Sequence, residues 1–177
     1  MFSNHRIFEL AKDVEKPTSN QDAARVDEQR GIAAIADGVS STLFAGRWAR
    51  SLVDAVMASP PDPYDAESMD PWLAEKRKEW NASVDPSSLA WHQKAKLKDG
   101  ASSTLLWVRM EQSSDDPEAF AYRCYAIGDC CLFHVREDET LRAFPLEKSS
   151  DFDTDPEVVR SAAIPGKKAS KSLVFQT

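Results

Sequence analysis

The sequence predicts an α+β fold with antiparallel sheets, and three observations support this prediction. Strand-like apolar runs come first, before residue 40. Helical periodicity then occupies the region from about Phe44 to Leu97, and strand-like runs return from Ser103 to Phe144. Strands followed by helices and then strands, without regular alternation, favour antiparallel sheets over a wound parallel sheet.

The first strands are expected to form a hairpin after an initial strand at Ile7–Ala11. The small apolar run from Gly31 to Ala36 can pair with Ala23–Asp27 through the turn at Glu28–Gly31. Such a hairpin brings Asp22 and Asp37 to the same end of one sheet.

The dipeptide Asp37-Gly38 closes the buried-looking strand of this hairpin. A carboxylate at this place supplies a hard oxygen ligand, and the glycine lets the backbone approach closely, so that its carbonyl can also bind a metal. The same dipeptide is also a common turn signal. Taken alone, it leaves both interpretations open.

The middle of the chain predicts three helices. The first spans Phe44–Ala58, where Trp48, Leu52, Val53 and Val56 follow helical spacing and Ser41 or Thr42 can cap the start. The second spans Pro71–Asn81 with Asp70 as its cap, and the third spans Ser87–Leu97.

The second half predicts an antiparallel meander, since short β-rich runs alternate with acidic turns. The final residues, Ser172–Gln176, read as a further strand with no partner following it. The strands of the meander are Ser103–Met110, Phe120–Ile127, Cys131–Arg136 and Leu141–Phe144.

Length and composition bound the function. A chain of 177 residues is predicted to form one domain over residues 1–177. A net charge of −7 argues against nucleic-acid and anionic-membrane partners, which need a basic face. The N-terminus lacks the apolar core of a signal peptide, and three cysteines do not form a disulfide framework, so a cytoplasmic location is expected.

Two other kinds of catalytic site are disfavoured. The three histidines are scattered over different elements and lack the spacing of a zinc site. The pair Ser102-Ser103 has no accompanying histidine or lysine signature, which argues against a serine hydrolase.

Four short motifs occur in order along the chain. They are Asn20-Gln21-Asp22-Ala23, Ala36-Asp37-Gly38-Val39-Ser40-Ser41, Gly100-Ala101-Ser102-Ser103-Thr104-Leu105 and Ala126-Ile127-Gly128-Asp129. This series resembles the metal-dependent serine/threonine protein phosphatases of the PP2C family, particularly its bacterial members, over about residues 5 to 155. The resemblance implies two antiparallel sheets packed face to face and flanked by helices.

The resemblance also implies a chemistry: hydrolysis of phosphoserine or phosphothreonine in proteins by a water activated between two Mg²⁺ or Mn²⁺ ions. Asp37 matches the aspartate that bridges both ions, Gly38 the glycine whose carbonyl binds one of them, and Asp22 the acidic residue of the first motif. Asp129 matches the aspartate of the hairpin turn, although a purely structural turn role is the favoured interpretation there.

The chain departs from the family pattern at three places. Gln21 stands where the family usually has Glu, and an uncharged amide weakens a metal site. Lys16 is the one cation near the position of the family's phosphate-binding arginine, and lysine binds phosphate as a point charge. After Phe144 the later metal-binding motifs are absent; Asp151 resembles the aspartate of a third metal, with Asp153 and Asp155 as alternatives and the start of an acidic helix as the structural interpretation.

We therefore interpret the chain as an incomplete copy of the catalytic domain that lacks its C-terminal strands and binds one ion. The alternative is a catalytically impaired, phosphatase-like module that binds a protein partner. In either case, a sheet without its final strands is expected to self-associate through an exposed edge.

Overall fold

The computed structural model describes residues 4–11, 13, 15–16, 19–62, 68–112, 120–136, 141–163 and 173–176. Helices α1, α2 and α3 span Ala45–Ala58, Met69–Ser83 and Trp91–Leu97, with single 3₁₀ turns at Pro86–Ser88 and Ser149–Asp151. The strands β1 to β9 are, in order, Asp22–Asp27, Ile32–Asp37, Ser102–Ser103, Leu105–Gln112, Phe120–Ile127, Leu132–Val135, Leu141–Phe144, Val159–Arg160 and Leu173–Gln176.

The strands form one large sheet and two small ones, and every pairing between them is antiparallel. The large sheet has the order β1-β2-β4-β5-β9, while β6 pairs with β7 and β3 pairs with β8. The predicted α+β class is therefore confirmed. No helix within the described ranges is long and apolar enough to cross a bilayer.

One face of the large sheet is covered by helices. The predicted apolar stripe of α1, formed by Trp48, Leu52, Val53 and Val56, is fully buried against this face. The rings of Trp80 in α2 and Trp48 pack edge to face, with their centroids 5.3 Å apart. Alternate residues of each strand point to the same side of the sheet, and those that face the helices complete the larger hydrophobic core.

The opposite face carries a second, smaller core. Leu106 and Val108 of β4 pack with Cys124 and Ala126 of β5, and the β6–β7 ribbon covers them with partly buried apolar side chains, including Leu132 and Phe144. The expected packing of one sheet on another is therefore present, with the β6–β7 ribbon as the second layer.

The predicted continuous meander is wrong at one point. The chain leaves the large sheet after β5 at Gly128, whose φ is +97°, and β6 joins the second layer instead of pairing with β5. The position beside β5 is taken by β9, with Cys124 opposite Phe175. The final strand is thus confirmed as a strand, and its partner is β5.

The predicted first strand at Ile7–Ala11 is also wrong. None of these residues pairs in a sheet, and Phe8 and Leu10 are 87% and 82% exposed. A strand needs a neighbour for its backbone groups and a surface on which to bury its side chains. Residues 7–11 have neither in this structure.

The helix ends differ from the predicted caps. Helix α1 begins after Phe44, which has a left-handed backbone, and no side chain caps it. The Thr42 hydroxyl donates to the Val39 carbonyl in the preceding loop instead. Asp70 lies inside the first turn of α2. Its negative charge there interacts favourably with the helix dipole, but its side chain does not cap the helix. The predicted helix at Ser87–Leu97 divides into the 3₁₀ turn and α3.

We predict that Trp48→Phe lowers the free energy of unfolding by about 1–3 kcal/mol, as expected when a buried acceptor loses its donor. The Trp48 indole donates to the Val159 carbonyl at 2.9 Å and thereby holds β8 against α1. Urea unfolding measures the loss, and Trp91→Phe is the control because Trp91 is 83% exposed. Equal stability of the two variants would contradict this role for Trp48.

Candidate active site

Asp22 and Asp37 lie directly opposite each other at the end of the β1–β2 hairpin. Their neighbours Ala23 and Ala36 point into the core on the helix side, so both carboxylates project from the other face of the sheet. Directly opposite residues of an antiparallel pair have Cβ atoms about 4.5–5.5 Å apart. The hairpin predicted from the sequence therefore brings these two carboxylates together.

The main chain of Asp37 is fixed by residues that precede β4. Its N–H donates to the Thr104 hydroxyl at 2.9 Å, and its carbonyl accepts from the Thr104 N–H and from the Ser103 hydroxyl, each at 2.9 Å. These three bonds are made by buried side chains and backbone. They hold the end of β2 in one position and orient the Asp37 carboxylate.

Gly38 is the point at which three backbone segments meet. Its N–H donates to the Gln21 carbonyl at 3.2 Å. A Cβ at this position would lie 2.7 Å from the carbonyl carbon of Ala45 and 2.8 Å from the Gln21 oxygen. Glycine is thus required here by the close approach of the Ala45 and Gln21 backbone, and its role as a metal ligand remains a prediction.

Asp37 and Gly38 line a cleft of about 410 Å³, which we call the Asp37 cleft. Its walls come from the Gly38–Thr42 loop, from the segment around β3 and from the stretch leading into β8. The lining carboxylates are Asp37, Asp129 and Asp155, and a single Arg, Arg160, lines it among the described residues. The cleft is therefore acidic with one positive group at its wall.

A partly buried thiol contacts Thr104, which lines the cleft. The Cys130 sulfur is 3.0 Å from the Thr104 hydroxyl. Burial raises the pKa of the Cys130 thiol to about 11, and the nearby charges of Asp129, Asp37 and Asp22 also raise it. This shift favours the protonated thiol, which is a poor nucleophile.

A second pocket of about 270 Å³ adjoins the Asp37 cleft and shares Asp129 and Asp155 with it. Asp151 lines this second pocket and does not line the Asp37 cleft. Its carboxylate accepts from the Lys148 N–H at 3.0 Å and from the Ser150 hydroxyl at 3.3 Å. It thus caps a short 3₁₀ turn, and its metal-binding role remains a prediction.

Lys16 lies away from these pockets. Its side chain is 75% exposed, and its ammonium group is 3.7 Å from the Asp13 carboxylate. It is not among the residues that line the Asp37 cleft. Its assignment as the phosphate-binding residue remains a prediction.

The residues present fit a hard divalent cation. Mg²⁺ is commonly held by one or two carboxylates, with waters completing its octahedron. The opposed Asp22 and Asp37 supply such a pair. The buried Oε1 of Gln21, the residue before Asp22, has no hydrogen-bond partner in the described part of the chain. Within that part, no three His, Cys, Asp or Glu side chains gather into a complete protein-only metal site.

Sequence reasoning underestimated or missed several residues at the cleft. Asp129 was favoured as a structural turn residue, yet it lines both pockets. Its Gly-Asp motif was the signal. Thr104 lies in the third motif, but its bonds to Asp37 depend on how the end of β2 meets the start of β4. Arg160 had no such signal, because its position depends on the pairing of β3 with β8.

Comparison with known proteins gives one family and two structural neighbours. The family model for protein phosphatase 2C matches residues 12–167. A structure described as a bacterial serine phosphatase is 12% identical, with a TM-score of 0.51, over 89% of this chain and 66% of that chain. PppA of Pseudomonas aeruginosa, described as a key regulatory component of T6SS, is 18% identical, with a TM-score of 0.51, over 89% and 65%.

The chain thus spans slightly less than two thirds of the length of these two solved structures. At such low identity, the likeness shows a shared fold. No curated protein is similar enough to this sequence to count as a match.

We predict that Gly38→Ala destabilises the protein by about 1–3 kcal/mol, the usual cost of forcing an extra methyl group into a tightly packed place. The atoms that the new Cβ would meet belong to the backbone of Gln21 and Ala45, which cannot rotate away. Urea unfolding measures the change. Ser40→Ala, at an exposed position of the same cleft, is the control. If Gly38→Ala unfolds at the same urea concentration as the parent, the prediction is wrong.

Proposed function

Because this chain belongs to the protein phosphatase 2C family, we propose that it hydrolyses phosphoserine or phosphothreonine in a protein substrate with the help of Mg²⁺ or Mn²⁺. The observation that carries the proposal is the facing pair of Asp22 and Asp37, with Gly38 beside it at an acidic cleft. The family match supports the reaction class, and the pair supports the metal dependence.

The residues of this chain have distinct roles in the proposal. Asp37 and Asp22 would hold the cation through their carboxylates, and Gly38 would contribute its carbonyl oxygen. Bound Mg²⁺ or Mn²⁺ would supply a water of lowered pKa as the nucleophile and would polarise the phosphoryl group. The hydrogen bonds from Ser103 and Thr104 keep Asp37 in place, so that this arrangement exists before substrate arrives.

The charge of the cleft explains why a cation is needed. Three lining carboxylates, together with Asp22 at the same sheet end, would repel a phosphate dianion. Divalent cations reverse the sign of the local potential and also neutralise the mutual repulsion of the carboxylates. Without them, the same cleft disfavours a phosphorylated substrate.

We propose one ion at modest affinity for this chain, although the family uses two. Asp22 and Asp37 are the two carboxylates that the hairpin brings face to face. Asp151 lines the adjoining pocket and is proposed as an outer contributor only. Lys16 is proposed as a distal phosphate contact.

A second candidate function is a phosphatase-like module that binds a protein partner without turnover. It is favoured by the lack of a third gathered ligand within the described ranges. The outer face of the β6–β7 ribbon also exposes Phe133, Val135 and Leu141, which suit association with a partner or a second copy. Turnover of p-nitrophenyl phosphate with and without Mn²⁺ separates the two candidates.

We predict that Asp37→Asn abolishes Mn²⁺ binding and Mn²⁺-dependent hydrolysis, because an uncharged amide replaces the carboxylate that binds the ion. Calorimetric titration with Mn²⁺ and turnover of p-nitrophenyl phosphate are the measurements. Asp99→Asn is the matched control, since Asp99 is exposed and lies outside both pockets. A variant that binds Mn²⁺ as the parent does would show that Asp37 is not a ligand.

We predict that Gln21→Glu strengthens Mn²⁺ binding by about tenfold, as one added charge-assisted contact would. The Gln21 Oε1 is buried and lacks a partner among the described residues. In metal-free buffer the same change should lower stability, because it adds a buried negative charge. Calorimetry and thermal unfolding with and without Mn²⁺ test both effects, and an unchanged Mn²⁺ affinity would exclude Gln21 from the metal site.

A further inference from the structure

Arg160 lies in the wall of the Asp37 cleft and supplies positive charge among its carboxylates. It is the one Lys or Arg in the described chain that lines this cleft. Its side chain is exposed, and its guanidinium forms no ion pair with any carboxylate in the described residues. An arginine in this position has its hydrogen-bond donors available to an anion in the cleft.

The backbone on both sides of Arg160 is held by other elements. The Val159 carbonyl accepts from the Trp48 indole at 2.9 Å, and the Arg160 carbonyl accepts from Arg77 at 2.9 Å. The N–H of the next residue, Ser161, donates to the Ala101 carbonyl at 2.9 Å, and the Ala101 N–H donates to the Ser161 hydroxyl at 2.8 Å. A strand of two residues is therefore anchored to α1, to α2 and to the segment before β3.

This anchoring determines the direction of the arginine side chain. Val159 is 1% exposed and points into the core beside α1. Because successive side chains of a strand point to opposite sides, Arg160 points away from that core and into the cleft. Its partner in the β3–β8 pair, Ser102, also lines the cleft.

Resting on the proposed function, we propose that Arg160 binds the phosphoryl oxygens of the substrate. The planar guanidinium can form two parallel hydrogen bonds to a phosphate, which fixes its orientation as well as neutralising charge. Lys16 offers a single point charge, lies outside the lining residues and already faces Asp13 at 3.7 Å. The position of Arg160 favours it as the phosphate contact.

The test compares Arg160→Met and Arg160→Lys with Lys16→Met and with Arg136→Met, an exposed arginine outside the cleft. For each variant, the KM for p-nitrophenyl phosphate and the inhibition constant of inorganic phosphate are measured in Mn²⁺. Calorimetric binding of inorganic phosphate in Mg²⁺ buffer supplies a readout that does not require turnover. Mn²⁺ affinity is measured in parallel to establish that the metal site is intact.

Arg160→Met is expected to weaken phosphate binding and to raise the KM by about ten- to a hundredfold, as expected for loss of a charge-assisted pair. Arg160→Lys should lose less than Arg160→Met, because lysine keeps the positive charge but cannot form the two parallel hydrogen bonds of the guanidinium. Arg136→Met should match the parent, and Lys16→Met should weaken phosphate binding less than Arg160→Met does, because Lys16 lies outside the cleft. Mn²⁺ affinity should not fall in any variant.

Three outcomes would overturn the inference. The first is a parent chain that binds no inorganic phosphate. The second is parent-like phosphate binding by Arg160→Met. The third is a loss confined to phosphopeptides with acidic flanking residues, while p-nitrophenyl phosphate is unaffected; Arg160 would then contact the peptide. A parent without turnover that loses phosphate binding on Arg160→Met would reject the proposed hydrolysis and support this inference.

Discussion

The arrangement of the site depends on the hydrogen bonds exchanged between Asp37 and the residues that open β4. The Asp37 N–H donates to the Thr104 hydroxyl, and the Asp37 carbonyl accepts from the Thr104 N–H and the Ser103 hydroxyl, so the end of β2 is joined to the start of β4. Because Ser103 and Thr104 are buried, an unmade bond would leave their polar groups with a desolvation penalty. The junction therefore has one favoured geometry, and the carboxylate of Asp37 takes its position from it.

Thr104 extends this junction to a third part of the chain. Its hydroxyl accepts from the Asp37 amide and lies 3.0 Å from the Cys130 sulfur, next to the Gly128-Asp129 turn. A Cβ added at Gly128 would lie 2.6 Å from the methyl group of Thr104, so these two residues pack closely. Thr104 thus contacts both the β1–β2 hairpin, through Asp37, and the turn that carries Asp129.

The sequence predicted well whatever depends on local pattern. The helical stripe of α1, the β1–β2 hairpin and the facing of Asp22 and Asp37 follow from residues close together in the chain. It failed where the outcome depends on competition between distant strands: β9, not β6, pairs with β5, and the apolar run at residues 7–11 forms no strand. Arg160 escaped notice for the same reason, since nothing local distinguishes it from other surface arginines.

The indole bond from Trp48 to Val159 joins residues 111 positions apart, and this separation bears on how the protein acquires its site. Contacts between distant residues form late, because closing a long loop costs chain entropy before the contact repays it. The β1–β2 hairpin can assemble from neighbouring residues while the chain is still emerging during synthesis. The wall that carries Asp155 and Arg160 needs α1, α2 and the later strands, so the hairpin that carries Asp37 can form before the wall opposite it.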